Sequence, residues 1–224
     1  MANHTVAGLF VVLLALVGYI YFFQISNNTE PVYLSKDLTL TYFNLQGRGE
    51  PIRLLLEYYQ IPYQSNSPSN WSEEKKNDKY LFGQLPHLQN GEYSIVQMNA
   101  ILSHLDRQIS KKHGIKYTEK ELVQLDSIGQ GVEDFRGRFG KLIYGSISEK
   151  DKYLEALPGY LRFFENILMK NGGFYGKGWY LINNDFVTYV DISLWDLLDK
   201  HLHPKFSPSC LDDFPMVTSL FLFF

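Results

Sequence analysis

The hydrophobic period of this chain changes once and does not change back. Leu38, Leu40 and Tyr42 alternate with Thr39 and Thr41, the period of two that half-buries a β-strand. Beyond Lys111 no strand pattern is persuasive. Instead Leu122, Leu125, Ile128, Val132, Phe135, Phe139 and Leu142 recur at three and four, as do Leu154, Leu157, Leu161, Phe164 and Leu168. Two long helices are expected, the second bent or begun at Pro158. Strands confined to the first half and helices alone in the second imply a sheet-bearing domain followed by a helical one.

Within the first half the order of elements is legible. Gly47 and Gly49 interrupt the strand pattern, and Ile52, Leu55, Leu56 and Tyr59 then recur at helical spacing, with Pro51 where a first turn tolerates it. Tyr63 begins a second extended piece. A polar loop from Ser65 to Asn70, Trp71 and a charged, irregular segment up to Tyr80 follow. Leu85-Pro86 leads into His87-Leu88, an Asn90-Gly91 turn and Tyr93 to Val96, which reads as a hairpin because Asn-Gly favours the primed turns. A helix runs from Met98 through Ile101, Leu102 and Leu105 to Ile109. One sheet can hold a β-α-β unit, a hairpin and a helix in that order.

Two local signals in the second half concern folding. Gly129, Gly131, Gly137 and Gly140 sit in the first long helix, where each costs about 1 kcal/mol relative to alanine, so something must approach that backbone closely. Thr188 and Asp191 have the spacing of a capping box, and Val187 can staple against Ile192. They are read as folding residues worth about 1 kcal/mol, not as catalysts.

With 224 residues the chain can bury a sizeable core without disulfides or metals. Its formal charge of −3, with acids and bases interspersed, offers no basic stripe for a phosphate backbone, which argues against nucleic acid. Cys210 is the sole cysteine, which excludes a disulfide framework, a CxxC pair and a multi-thiolate zinc site; a filler role fits it better than catalysis. Residues 1–30 differ in kind. From Val6 to Phe23 the chain is apolar enough to cross a bilayer core as a helix, and it lacks the basic start and small-residue cleavage site of a signal peptide. An uncleaved membrane anchor and an alternative first exon on a cytosolic protein both stay open, so localisation does too.

The runs from Leu40 to Arg53 (LTYFNLQGRGEPIR), Phe82 to Pro86 (FGQLP), Gln97 to Leu102 (QMNAIL) and Val187 to Asp191 (VTYVD) resemble cytosolic glutathione transferases. Gly131 to Phe135 (GVEDF), Leu142 to Tyr144 (LIY) and Ala156 to Gly159 (ALPG) narrow the resemblance to the pi class. It covers about Asp37 to the end, with the blocks in the family's order. The resemblance implies an α/β thioredoxin-like N-terminal domain over 36–113, an all-α C-terminal domain over 114–224, and a homodimer. It implies glutathione as co-substrate, hydrophobic electrophiles as partners, and no cofactor or metal.

The same resemblance implies roles. Tyr42 matches the catalytic tyrosine whose hydroxyl donates to the glutathione sulfur and favours thiolate, the nucleophilic form. Arg48, Trp71, Gln84, Leu85, Gln97 and Met98 match glutathione-binding positions, with Pro86 cis. Gln97 and the Met98 amide would hold the γ-glutamyl carboxylate at a helix N-terminus. Asp134 matches a residue that reaches the γ-glutamyl ammonium in the partner subunit, Tyr144 an aromatic wall of the electrophile pocket, and Phe82 an aromatic key that enters the neighbouring subunit.

Three departures stand out. Met98 replaces the usual Ser or Thr, removing a hydroxyl worth roughly 1.5–3 kcal/mol to a carboxylate. Asn77 stands nearest the family's lysine, with Lys75, Lys76 and Lys79 close by. The chain stops at Phe224 on the run Leu-Phe-Leu-Phe-Phe, earlier than the family pattern. The expected activity is conjugation of the glutathione thiol to hydrophobic electrophiles; the alternative is a catalytically impaired binding protein for apolar ligands.

Overall fold

The computed structural model describes residues 34–145, 147–172, 180–182 and 186–224. The apolar run from Val6 to Phe23, and with it the reading as a membrane anchor, lies outside them. Among the described residues no helix is long and apolar enough to cross a membrane.

Strand β1 (Thr39–Thr41) is one of two inner strands, flanked by the fully buried Leu38 and carrying the fully buried Leu40. Helix α1 (Glu50–Tyr58) follows, with Pro51 in its first turn and Glu50 at the positive end of its dipole. Next come β2 (Gln64–Asn66), a single helical turn α2 (Trp71–Glu74), a 3-10 turn (Leu81–Gly83), β3 (His87–Asn90), β4 (Tyr93–Val96) and α3 (Met98–Lys112). The sheet order is β2-β1-β3-β4, with β2 parallel to β1 and the other pairs antiparallel. Leu40 lies opposite Leu88, so the apolar face of β1 meets that of β3 under α1 and α3. This is a thioredoxin-like domain.

β2 has no buried side chain and is held through its main chain, with Gln64 N–H donating to Leu38 O at 2.8 Å and Tyr42 N–H to Asn66 O at 2.9 Å. The hairpin turn falls one residue later than Asn90-Gly91. Asn90 still pairs with Tyr93, so Gly91 and Glu92 form the loop, and only Gly91 takes a positive φ, +57°. A single left-handed residue at the first loop position is the type II′ pattern, for which glycine is the natural choice.

The second half is helical: α4 (Glu119–Tyr144), α5 (Lys150–Lys170), α6 (Tyr189–Leu202) and α7 (Pro215–Phe223). α4 opens on a capping box absent from the sequence reading, with Thr118 N–H donating to Glu121 at 2.7 Å and Glu121 N–H to Thr118 Oγ1 at 3.3 Å. α5 begins at Lys150 and runs through Pro158 instead of starting there. A Cβ on Gly129 would lie 2.6 Å from the Tyr189 hydroxyl, so the close approach expected in α4 is real at that glycine. At Gly131, Gly137 and Gly140 a Cβ would meet nothing within 4 Å among the described residues, so no element of this chain is the close neighbour expected there.

Buried polar groups stitch these helices together. Arg136 donates to Asp196 at 2.6 Å and to Ser193 O at 2.8 Å, and Lys200 closes on the same Asp196. His201 sits between Tyr153 OH and Leu197 O, each at 2.6 Å, and burial pushes its pKa down to about 4. The Asp191 carboxylate accepts from Thr188 N–H, Thr188 O–H and Leu181 N–H, fixing the start of α6. Glu165 accepts from Met216 and Val217 N–H and so caps α7. The apolar chain end packs on the body, with Phe221 stacked on Trp195 and Phe224 against Tyr58. Cys210 is half-buried, and burial pushes its thiol up to about 11, which leaves little thiolate at neutral pH.

Candidate active site

The turn between β1 and α1 builds one wall of a cleft. Arg53, one turn into α1, donates to the carbonyls of Leu45 (3.1 Å) and Phe43 (3.0 Å) and pairs with Glu50 at 2.8 Å, so the loop 43–49 is tied to the helix it precedes. Tyr42 stands under this loop, only 9% exposed. A Cβ on Gly49 would come within 2.4 Å of its ring and one on Gly47 within 2.7 Å of its hydroxyl. Glycine at both positions is what lets the chain wrap the phenol.

The Tyr42 hydroxyl accepts the Arg48 N–H at 3.1 Å. That bond uses a lone pair and leaves the hydroxyl proton available to a further acceptor. Burial, the largest cause, raises the Tyr42 pKa, against an opposing pull from the Arg48 amide. The group is therefore a neutral donor at physiological pH and not a phenolate base.

The rest of the cleft comes from α2, the 3-10 turn, β3 and α3. Arg48, Trp71, Gly83, Gln84, Leu85, Pro86, Gln97, Met98 and Glu133 line a volume of about 470 Å³. Six of the residues singled out from sequence thus meet in one place: Arg48, Trp71, Gln84, Leu85, Gln97 and Met98. The Leu85–Pro86 bond is cis. Trp71 is fixed by edge contacts with Phe43 and Tyr80, at 6.0 and 5.2 Å between ring centres. The Gln97 side chain donates to Gln84 at 2.6 Å instead of capping α3. The first amides of α3 therefore keep no side-chain partner and face a cleft at the positive end of a 15-residue helix, a natural anion site.

Four expected residues lie elsewhere. Tyr42 adjoins the cleft through Arg48 but is not among its lining residues. Tyr144 ends α4 and is 78% exposed. Phe82 projects into solvent, 70% exposed, at a φ of +64°. Asp134 lines a different, largely apolar groove of about 400 Å³ between α4 and α5, with Ile128, Gly131, Phe135, Tyr160 and Phe163. Met98 lines the cleft, yet it is only 3% exposed and belongs to the apolar core, so its side chain is a packing element as well as a lost hydroxyl.

Glu133 was missed. Its carboxylate pairs with Arg48 at 2.7 Å across the two domains, and its Oε2 is buried without a partner at the edge of the cleft. Its signal lay beside Asp134: on a helix, adjacent residues point about 100° apart, so the two acids of one motif serve different sites. Among the described residues no cluster of acids, histidines or cysteines could hold a metal ion.

Residues 38–107 match the family model of the glutathione S-transferase N-terminal domain, and residues 133–222 that of the glutathione S-transferase C-terminal domain. The chain is 36% identical over 186 residues to Glutathione S-transferase P 1 of Xenopus laevis, spanning 80% of this chain and 83% of that one. It is 36% identical over 184 residues to Glutathione S-transferase P of Homo sapiens, spanning 81% and 83%. Of solved structures, the Pi-class glutathione S-transferase of Onchocerca volvulus is similar at a TM-score of 0.71 and 33% identity, over 83% of this chain and 86% of that one. Prostaglandin synthase D of Nilaparvata lugens is similar at 0.64 and 27%, over 83% and 90%. The chain belongs to the glutathione S-transferase family. Within that family its likeness is to the pi class.

Proposed function

We propose that this protein is a glutathione S-transferase that joins the thiol of reduced glutathione to hydrophobic electrophiles, with Tyr42 activating the thiol. The observation that carries the reading is the Tyr42 hydroxyl, held by the Arg48 amide with its proton free, beside a polar cleft of peptide size. Glutathione is an anionic peptide. The uncapped start of α3 suits one carboxylate, Gln84 and Gln97 supply amides, and the buried unpaired oxygen of Glu133 suits an ammonium. A hydrogen bond from Tyr42 to sulfur favours thiolate over thiol; lowering the thiol pKa by two units corresponds to about 2.7 kcal/mol. No step in this chemistry calls for a metal or a bound cofactor.

The test compares wild type with Tyr42→Phe in conjugation of glutathione to a chromogenic aryl halide. The variant should lose one to two orders of magnitude in rate, about 1.4–2.7 kcal/mol of transition-state stabilisation. Its rate should also rise with pH only towards the ordinary thiol range near 8.5, about two units later than wild type. Equal rates and equal pH profiles would remove Tyr42 from the mechanism. An inert wild type that stays folded would favour the binding-protein alternative.

We further propose a homodimer in which Phe82 of one subunit enters the groove between α4 and α5 of the other. An aromatic side chain at a left-handed φ and 70% exposed is costly in a free monomer, and the apolar groove is of a size to accept it. Burying that ring is worth about 2–3 kcal/mol per subunit. Sedimentation should show a dimer that Phe82→Ser shifts towards monomer; an unshifted dimer would rule Phe82 out as the key.

A further inference from the structure

Phe224 forms one wall of a small, partly open cavity of about 230 Å³ that shares no residue with the proposed glutathione cleft. Its walls are Leu54, Glu57 and Tyr58 of α1, Ile192 and Trp195 of α6, and Phe224. Tyr58 and Phe224 stand 5.7 Å apart at 57°, and Phe224 and Trp195 6.2 Å apart at 49°. The Phe224 ring is thus inclined to both of the others instead of stacked on them. Trp195 is fixed beside it, because the Phe221 ring stacks on the indole at 12° and the Phe221 carbonyl accepts the indole N–H at 3.1 Å.

The chemistry of this cavity is one-sided. Ring faces present negative charge, and an indole face is the best of them for a cation. Among the described residues, Glu57 is the one charged side chain in the lining, and no lysine or arginine lines it. The charge of Asp191 also reaches Tyr58, adding to burial in raising the pKa of its hydroxyl. An anion would meet Glu57 and find no strong donor, since the indole N–H is already used. A primary ammonium needs three acceptors and would find Glu57 and the Tyr58 hydroxyl. A wholly neutral guest would leave the carboxylate idle. Drug-sized ligands need roughly 300–1,000 Å³, so the guest is small or is the head of something larger.

We propose that this cavity is an aromatic cage for an alkylated ammonium group, quaternary in the best case. A free quaternary amine and the choline headgroup of a lipid share that chemistry. The test titrates the full chain, at constant ionic strength, with choline and with 3,3-dimethylbutan-1-ol, which has the same shape without the charge, reading heat. Choline should saturate, and the neutral alcohol should bind about tenfold more weakly. Tyr58→Leu and Glu57→Gln should each weaken choline three- to tenfold and leave conjugation activity and the thermal midpoint unchanged; both positions are on the surface and outside the catalytic cleft. Absence of saturation, equal binding of the alcohol, or unchanged choline affinity in both variants overturns the proposal. Displacement of choline by phosphatidylcholine vesicles but not phosphatidylglycerol vesicles assigns the lipid headgroup as the source; displacement by neither assigns a free amine.

Discussion

The helical half and the cleft treat polar side chains in opposite ways. Between α4, α5 and α6 the buried charges find each other: Arg136, Asp196 and Lys200 form one cluster, Asp191 accepts three hydrogen bonds, and Glu165 closes the start of α7. Arg136 Nε and Ser193 Oγ are left over, but neither lines the cleft. Around the cleft the pairing is incomplete where it faces open space, at Glu133 Oε2 and at the first amides of α3. Burying a polar group without a partner costs about 1–3 kcal/mol, a cost that a ligand can remove where the group faces a cleft. Completed pairs hold the helices together, and of the buried side-chain atoms left over, His87 Nδ1, Arg136 Nε, Ser193 Oγ and Glu133 Oε2, only the last belongs to a residue lining the cleft.

That contrast can be broken by substitution. The largest effect is expected at Asp191→Ala, which strands Leu181 N–H, Thr188 N–H and Thr188 O–H in a fully buried place. Stability should fall by about 3 kcal/mol, read from the urea midpoint, and conjugation should fail only as the protein unfolds. A loss below about 1 kcal/mol would mean that these pairs are not what fixes α6. By contrast, Tyr42→Phe strands one part-buried donor, the Arg48 N–H, and should cost about 1 kcal/mol of stability while lowering conjugation by one to two orders of magnitude. A smaller effect separates two glycines of α4. Gly129→Ala drives a methyl against Tyr189 and should cost about 1–3 kcal/mol, whereas Gly137→Ala enters open space and should gain up to about 1 kcal/mol in helix propensity. Equal effects at the two positions would show that the packing of Tyr189 gives way.

How far the sequence disclosed all this depended on whether a feature repeats or is local. The long helices were legible because apolar residues recur over many turns, and the start of α6 because Thr188 and Asp191 stand at fixed spacing. β2 was marked only by the extended character of Tyr63, since three exposed residues held by main-chain bonds carry no apolar pattern. The hairpin turn slipped by one because Asn90 is drawn into β3 by its pairing with Tyr93. Pro158 read as a bend or a start; the helix runs through it, since a proline costs one backbone bond, and Leu157, Leu161 and Phe164 on one buried face outweigh it. In the cleft, six of the residues expected from the family motifs converge, while Glu133 depends on a partner 85 positions away that no local spacing announces.

The junction between the halves has a consequence for how the protein can come apart. Asp106, on α3, accepts the Tyr189 N–H at 3.0 Å and the Tyr117 O–H at 2.6 Å, while Tyr59, beyond α1, donates to the Val187 carbonyl. The first turn of α6 is therefore completed by groups from the other half. Residues 34–224 form one compact unit accordingly. The peptide link from Gly114 to Tyr117 is therefore backed by hydrogen bonds across the junction, and either half taken alone would expose the groups that the other now satisfies.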